Sequence, residues 1–152
     1  MAMTLDFEKY AKKGNEFMHH LEDNLNTEDR AHAGRILRST FRVLRNHLTF
    51  EESLQLLAQL PMALKAVYVD GWSAASHRKI KTAEEFLVEI VQEEGNNAWR
   101  DFSNEDEIIS AIRAVVDSLR IYVSSRELDQ ALGTLPEKVR RIFESSEQEE
   151  EM

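Results

Sequence analysis

Apolar residues recur in this sequence at steps of three and four, the spacing that places side chains on one face of an α-helix. The first segment with this spacing covers about residues 7–25. A second runs from about residue 28 to residue 47, and two shorter ones cover about 50–58 and 61–69. With only 5 Gly and 2 Pro in 152 residues, few positions interrupt the pattern. We therefore predict an all-α chain of about eight helices. The first stripe comprises Phe7, Tyr10, Ala11, Gly14, Phe17, Met18, Leu21 and Leu25.

Local signals mark where several of these helices begin and end. Thr49 stands three residues before Glu52, and Thr82 stands three before Glu85, so each threonine could cap a helix N-terminus. Gly71 follows the segment that ends near residue 69 and can adopt the left-handed conformation that ends many helices.

The two halves of the chain resemble each other. When residues 31–68 are laid over residues 106–143, an offset of 75, eight of 38 positions are identical, where chance gives about two. Before this block the offset is 69, which indicates a six-residue insertion near residues 95–99 of the second half. The identical pairs are Arg38/Arg113, Leu44/Leu119, Arg45/Arg120, Glu52/Glu127, Gln55/Gln130, Leu57/Leu132, Leu60/Leu135 and Pro61/Pro136.

This similarity predicts one helical bundle, residues 1–145, built from two tandem four-helix repeats. Repeat one covers about 5–70, a basic connector covers 71–81, and repeat two covers about 82–145. Residues 146–152 contain several Glu and no basic residue, which is typical of a disordered, solvated tail.

Charge and composition exclude several classes of function. The net charge of −9 disfavours binding to nucleic acid or to an anionic membrane surface, because the summed field repels phosphate. With no Cys, the chain can hold neither a disulfide nor a thiolate-ligated zinc. No apolar leader or membrane-length apolar run occurs, so we expect a cytoplasmic protein.

Several motifs resemble the bacterial "domain of unknown function 2267" family. They are Ala-Gln-Leu-Pro at 58–61 and Tyr-x-x-Gly-Trp at 68–72, together with residues 35–38 and 44–52. The second half resembles the family at 84–87, 111–115 and 135–140, so the likeness covers about residues 5–144. It implies a two-repeat helical fold in a cytoplasmic bacterial protein, and it implies no activity, cofactor or site residue.

Four arginines, at positions 35, 38, 42 and 45, lie along one flank of a single predicted helix. Such guanidinium groups can bind carboxylates bidentately. Arg38 and Arg45 recur in the second half, which favours a structural role such as an Arg45–Glu52 pair. Arg35 and Arg42 do not recur, so they are the candidates for binding a protein partner, with a solvated, ion-paired helix face as the alternative.

The basic connector is the second candidate binding segment. It presents Trp72 followed by Arg78 and Lys79, which could bind an acidic partner, and the alternative is that Trp72 packs the connector onto one repeat. A catalytic serine elbow is disfavoured here, because a helix rather than a strand precedes Gly71 and Ala75 replaces the second Gly.

A metal-binding site is the competing hypothesis. Glu16 and His19 have the Glu-x-x-His spacing of helical metal sites, and His20 and Asp23 could add ligands. The second repeat has Val88 at the position that matches His19, so half of such a site is missing. We therefore predict a non-enzymatic, cofactor-free module for protein interaction or regulation, with a small-ligand- or metal-binding protein as the alternative.

Overall fold

The computed structural model describes residues 4–73 and 82–144, and within these stretches all regular structure is helical. The all-α prediction is confirmed. Two single 3-10 turns, Gly95–Asn97 and Arg141–Phe143, join or follow the α-helices. The α-helices are α1 Phe7–Leu25, α2 Arg30–His47, α3 Phe50–Gln59, α4 Met62–Val69, α5 Ala83–Glu94, α6 Ala98–Asp101, α7 Glu105–Leu119, α8 Ser125–Leu132 and α9 Glu137–Arg140.

Helix ends follow the local signals. The Thr49 side chain accepts from the Glu52 amide at 3.2 Å, and the Glu52 carboxylate accepts from the Thr49 amide at 2.7 Å, which completes a capping box. Thr82 caps α5 by accepting from the Glu85 amide at 3.1 Å. Gly71 has a φ of 71° just after α4, as its position predicts.

Helices of the first half pack against helices of the second. The long helix α1 lies against α7, α2 lies against α5, and α3 lies against α8. Each half therefore covers apolar faces of the other, because neither half has enough helices to bury both faces of its own. Duplication of a four-helix unit is compatible with this arrangement and stays a prediction.

One apolar core runs through both halves. The side chains of Phe17, Phe41, Tyr68 and Phe86 are fully buried in it, and they come from α1, α2, α4 and α5. The predicted stripe of α1 is therefore correct in its middle turns. It is wrong at the start of the helix, where Phe7 is exposed.

Close approach of α1 to α4 depends on one glycine. A Cβ added at Gly14 would lie 2.6 Å from the Cβ of Ala63, closer than two such carbons can come. A hydrogen at position 14 therefore sets the distance between these two helices. In the described part of the chain, no helix is both long and apolar enough to cross a bilayer.

Candidate functional site: the polar seam between α2 and α5

A row of polar side chains on α2 faces acidic side chains of α5 and α6. We call this row and its acidic partners the polar seam. The first four of its α2 members lie three, four and three residues apart, so they share one flank of that helix. The seam comprises His32, Arg35, Ser39, Arg42 and His47 on α2, with Glu89, Glu93 and Glu94 on α5 and Asp101 on α6.

Arg35 and Asp101 form a pair joined by two hydrogen bonds. Arg35 Nε donates to Asp101 Oδ2 at 2.8 Å, and Arg35 Nη2 donates to Asp101 Oδ1 at 2.7 Å. His32 Nδ1 also lies 2.8 Å from Asp101 Oδ1. Because an ionised carboxylate only accepts hydrogen bonds, His32 carries its proton on Nδ1 here.

Glu94 lies deeper in the seam. Its carboxyl is fully buried, and its Oε1 accepts a hydrogen bond from the Ser39 hydroxyl at 2.8 Å. Its Oε2 lies 4.0 Å from Arg35 Nε, and within the described residues no hydrogen-bond donor faces that oxygen. If Oε2 carried a proton, it could donate a hydrogen bond to the neighbouring carboxylate of Asp101.

The pKa values of the Glu94 and Asp101 carboxyls are shifted in opposite directions. Burial raises the pKa of Glu94 to about 7, and the hydrogen bond and negative charge of Asp101 add to that rise. Burial by itself would raise the pKa of Asp101, but hydrogen bonds from Arg35, Glu94 and His32 outweigh it and lower that pKa well below its usual range. At a pH between these two pKa values the pair therefore holds one proton, on Glu94, while Asp101 stays ionised.

A small polar cleft opens beside this pair. It has a volume of about 290 Å³, and its lining includes Asn24, His32, Asp101, Glu107 and Ser110. Solvent thus reaches the His32 end of the seam, whereas the carboxyls of Glu94 and Asp101 are almost completely covered.

The outer end of the seam is looser. Arg42 Nη1 lies 3.7 Å from Glu93 Oε2, and both side chains are about one third exposed. His47 Nε2 lies 2.5 Å from Glu89 Oε2, and these two side chains are less exposed than those of Arg42 and Glu93. Arg35 and Arg42, the two arginines singled out as partner-binding candidates, therefore contact acidic residues of their own chain.

Trp72 lies in an aromatic cluster at the end of α4. Its ring stacks on Phe50 with centroids 5.3 Å apart and meets Tyr68 edge-on at 5.9 Å. Phe50 is half exposed, while Tyr68 is fully buried, so the cluster joins the surface to the core. Arg78 and Lys79 fall outside the described residues, as do the rest of positions 74–81 and the predicted acidic tail.

The proposed brace between Arg45 and Glu52 is wrong. Arg45 is buried, and its Nη1 donates to the carbonyl oxygens of Tyr68 at 2.7 Å and Asp70 at 2.6 Å. Burial lowers the pKa of Arg45, as expected for a cation with little access to water. Its counterpart Arg120 reaches Asp129 at 3.5 Å rather than Glu127. Sequence reasoning favoured a side-chain pair and missed the carbonyl groups at a helix end.

The residues of the alternative metal site are not brought together. His19 Nδ1 lies 3.4 Å from Arg30 Nη2, whereas the His20 ring meets Tyr122 edge-on at 6.2 Å between centroids. Burial raises the pKa of Tyr122, and the negative charge of Glu16 raises it further. Across residues 4–73 and 82–144, no three His, Asp or Glu side chains are grouped so that they could hold a metal ion, and Asp23 joins no such group.

Sequence reasoning missed His32, Ser39, Glu94 and Asp101. A signal for the first two was present, because positions 32, 35, 39 and 42 follow steps of three, four and three on one flank of α2. Their acidic partners lie 55 to 69 residues away along the chain, and no local pattern connects residues so distant.

Comparison with protein families gives one match to report. A family model described as "Uncharacterized conserved protein (DUF2267)" matches residues 14–142. No curated protein matches the chain at a significant level.

Proposed function

The chain belongs to the DUF2267 family of uncharacterized conserved proteins, and within that family we propose that it is a non-enzymatic protein-interaction module of the bacterial cytoplasm. Its partner would be a protein segment that carries both acidic and apolar side chains. The contact surface would be Trp72, Phe50 and the basic residues that follow Trp72.

The observation that carries this proposal is the half-exposed stack of Phe50 on Trp72. Trp and other aromatics are enriched at the centres of protein interfaces, because they bury a large area with few rotatable bonds. Leu54 on α3 and Met62 and Val69 on α4 are exposed as well. A single exposed apolar residue is ordinary, but several on two adjoining helices are typical of a contact surface.

Charge favours an acidic partner at this position. The connector after Trp72 carries Arg78, Lys79 and Lys81 and has no acidic residue between positions 74 and 81, whereas the whole chain is acidic. A local basic segment would steer acidic segments toward the aromatic surface. Arg35 and Arg42 contribute less to such binding, because each already contacts a carboxylate of its own chain.

The polar seam supports a structural rather than a catalytic role for its acids. The carboxyls of Glu94 and Asp101 are at most 1% exposed, and each already has partners within the chain. Both carboxyls are covered by other groups of the chain, which favours a role in joining the helices.

A capture experiment with matched variants tests the proposal. The full chain is used to capture proteins from a lysate of its own source, the captured protein is purified, and its affinity is measured at two salt concentrations. Trp72→Ala should weaken binding at least about tenfold, as for an interface anchor. The double change Arg78→Glu and Lys79→Glu should weaken binding and remove its salt dependence.

Trp99→Ala is the control, since it removes the other tryptophan from a different surface. Circular dichroism of each variant checks that helicity is retained. Equal affinity of the natural chain and the Trp72 variant would exclude this surface as the binding site.

A further inference from the structure

Trp99 is the most exposed large apolar side chain in the described part of the protein. Its side chain is 75% exposed, and Val88 and Val91 on the neighbouring α5 are also exposed. Exposing an indole to water is unfavourable, so a projecting Trp beside other exposed apolar groups is typical of a contact surface.

A cleft adjoins this indole. It has a volume of about 330 Å³, and its apolar wall is formed by Val91, Ala98, Phe102 and Ile108, with Trp99 itself at one side. That volume lies at the small end of the range for binding pockets, and it suits one bulky side chain. The same surface therefore carries both a projecting aromatic group and an apolar hollow.

Both signs of charge are present on this surface. The Arg100 guanidinium lies 5.3 Å from the centre of the Trp99 ring, and Glu105 lines the cleft. A surface that holds a projection, a hollow, a cation and an anion complements a rotated copy of itself, which is the requirement for a two-fold interface.

We propose that a second copy of this chain binds here, with Trp99 of each copy inserted into the cleft of the other. The two indoles would then lie near the two-fold axis, and Arg100 would face Glu105 of the partner subunit. Trp99 itself lies in the predicted insertion near residues 95–99, which the first half of the chain lacks. Because the same surface is used on both copies, this pairing closes at a dimer and does not extend into a fibre.

The dimer is independent of the proposed partner-binding surface around Trp72. Sedimentation equilibrium of the full chain over a wide concentration range should give a mass that rises from 17.6 kDa toward twice that value. Trp99→Ala should raise the dissociation constant at least about tenfold, because a central aromatic anchor is lost. Trp72→Ala, the matched control, should leave the dimer unchanged.

Fluorescence gives a second readout that does not depend on mass. In the variant Trp72→Phe, Trp99 is the only tryptophan, and its emission should shift to shorter wavelength as concentration rises and the indole leaves water. A mass of one chain at every concentration overturns the proposal. So does a dimer that persists in Trp99→Ala, because it would have to form through another face.

Discussion

Arg35 and Asp101 are joined by two parallel hydrogen bonds, at 2.8 and 2.7 Å, between one guanidinium and one carboxylate. The pair links α2 of the first half to α6, the short helix that follows α5 in the second half. Gly95 makes this possible, because its φ of 58° lets the chain turn sharply after α5. Helix α6 is thus tied to α2 by a charge pair whose carboxylate is buried.

Removing the arginine of this pair should be costly. Arg35→Ala leaves the buried Asp101 carboxylate without its main cationic partner, and we expect the free energy of unfolding to fall by about 3 kcal/mol. Urea unfolding followed by circular dichroism measures the change. Arg42→Ala, on the same helix flank, removes a pair at 3.7 Å whose side chains are about one third exposed, and should cost less than about 1 kcal/mol. Equal losses for the two variants would contradict the distinction between buried and exposed pairs.

The raised pKa of Glu94 should make stability depend on pH. Between its ordinary pKa of 4.5 and its value of about 7 in the fold, the native state holds a proton that the unfolded chain releases. Stability therefore falls as pH rises through this window, with a slope of up to about 1.4 kcal/mol per pH unit, and levels off above it. The lowered pKa of Asp101 acts elsewhere: its contribution is present above pH 3.8 and is lost as pH falls below that.

Glu94→Gln isolates this effect. Glutamine keeps an acceptor for Ser39 and carries an amide that can donate toward Asp101, so it mimics the protonated acid. Denaturation midpoints measured from pH 4.5 to pH 8 should decline for the natural chain and stay level for the variant. A parallel decline in both would mean that another group is responsible.

Two helical glycines should respond to alanine in opposite ways. Gly14→Ala places a Cβ 2.6 Å from Ala63 and should destabilise the fold by about 1–3 kcal/mol through overpacking of α1 against α4. Gly34→Ala meets nothing within 4 Å, so the better helix propensity of alanine should stabilise the fold by up to about 1 kcal/mol. Thermal unfolding of both variants provides the comparison. Ala63→Gly removes the clash but has its own helix-propensity cost, so the double change should cost less than the sum of the two single changes. Additive losses would mean that the contact is not the cause.

The buried hydroxyls of Ser53 and Tyr68 should be energetically coupled. They lie 2.7 Å apart and both residues are fully buried, with burial raising the pKa of Tyr68 to about 12. Tyr68→Phe leaves the buried Ser53 hydroxyl without this hydrogen-bond partner, and the free energy of unfolding should fall by about 1–2 kcal/mol. In a double-mutant cycle measured by guanidinium unfolding, the combined change with Ser53→Ala should cost less than the sum of the two single changes. Simple additivity would show that the hydroxyls do not support each other.

The predicted helix limits agree closely with the structure. The expected segments 50–58 and 61–69 correspond to Phe50–Gln59 and Met62–Val69, and the predicted caps at Thr49 and Thr82 are present. These features depend on residues within four positions of each other, so the information for them is local. The family assignment was also accessible from short motifs, and the match over residues 14–142 confirms it.

The candidate site was accessible only in part. The arginine flank of α2 could be identified from spacing, but its interpretation as a surface for a protein partner did not anticipate α5 and α6 of the same chain. Arg35 and Asp101 are 66 residues apart, and Ser39 and Glu94 are 55 apart. Such pairs form because α2 packs on α5. The spacing of residues along one helix does not indicate which other helix will pack against it.

Sequence alone therefore determined the all-α class, the limits of several helices and the buried middle of the α1 stripe, since each follows from side-chain spacing along a single helix. Tertiary structure decided which polar groups are buried together, and so which carboxyl keeps a proton and which arginine is already bound. Burial and charge pairing act through space between segments distant in the chain, and they take effect only when α2 and α5 come into contact.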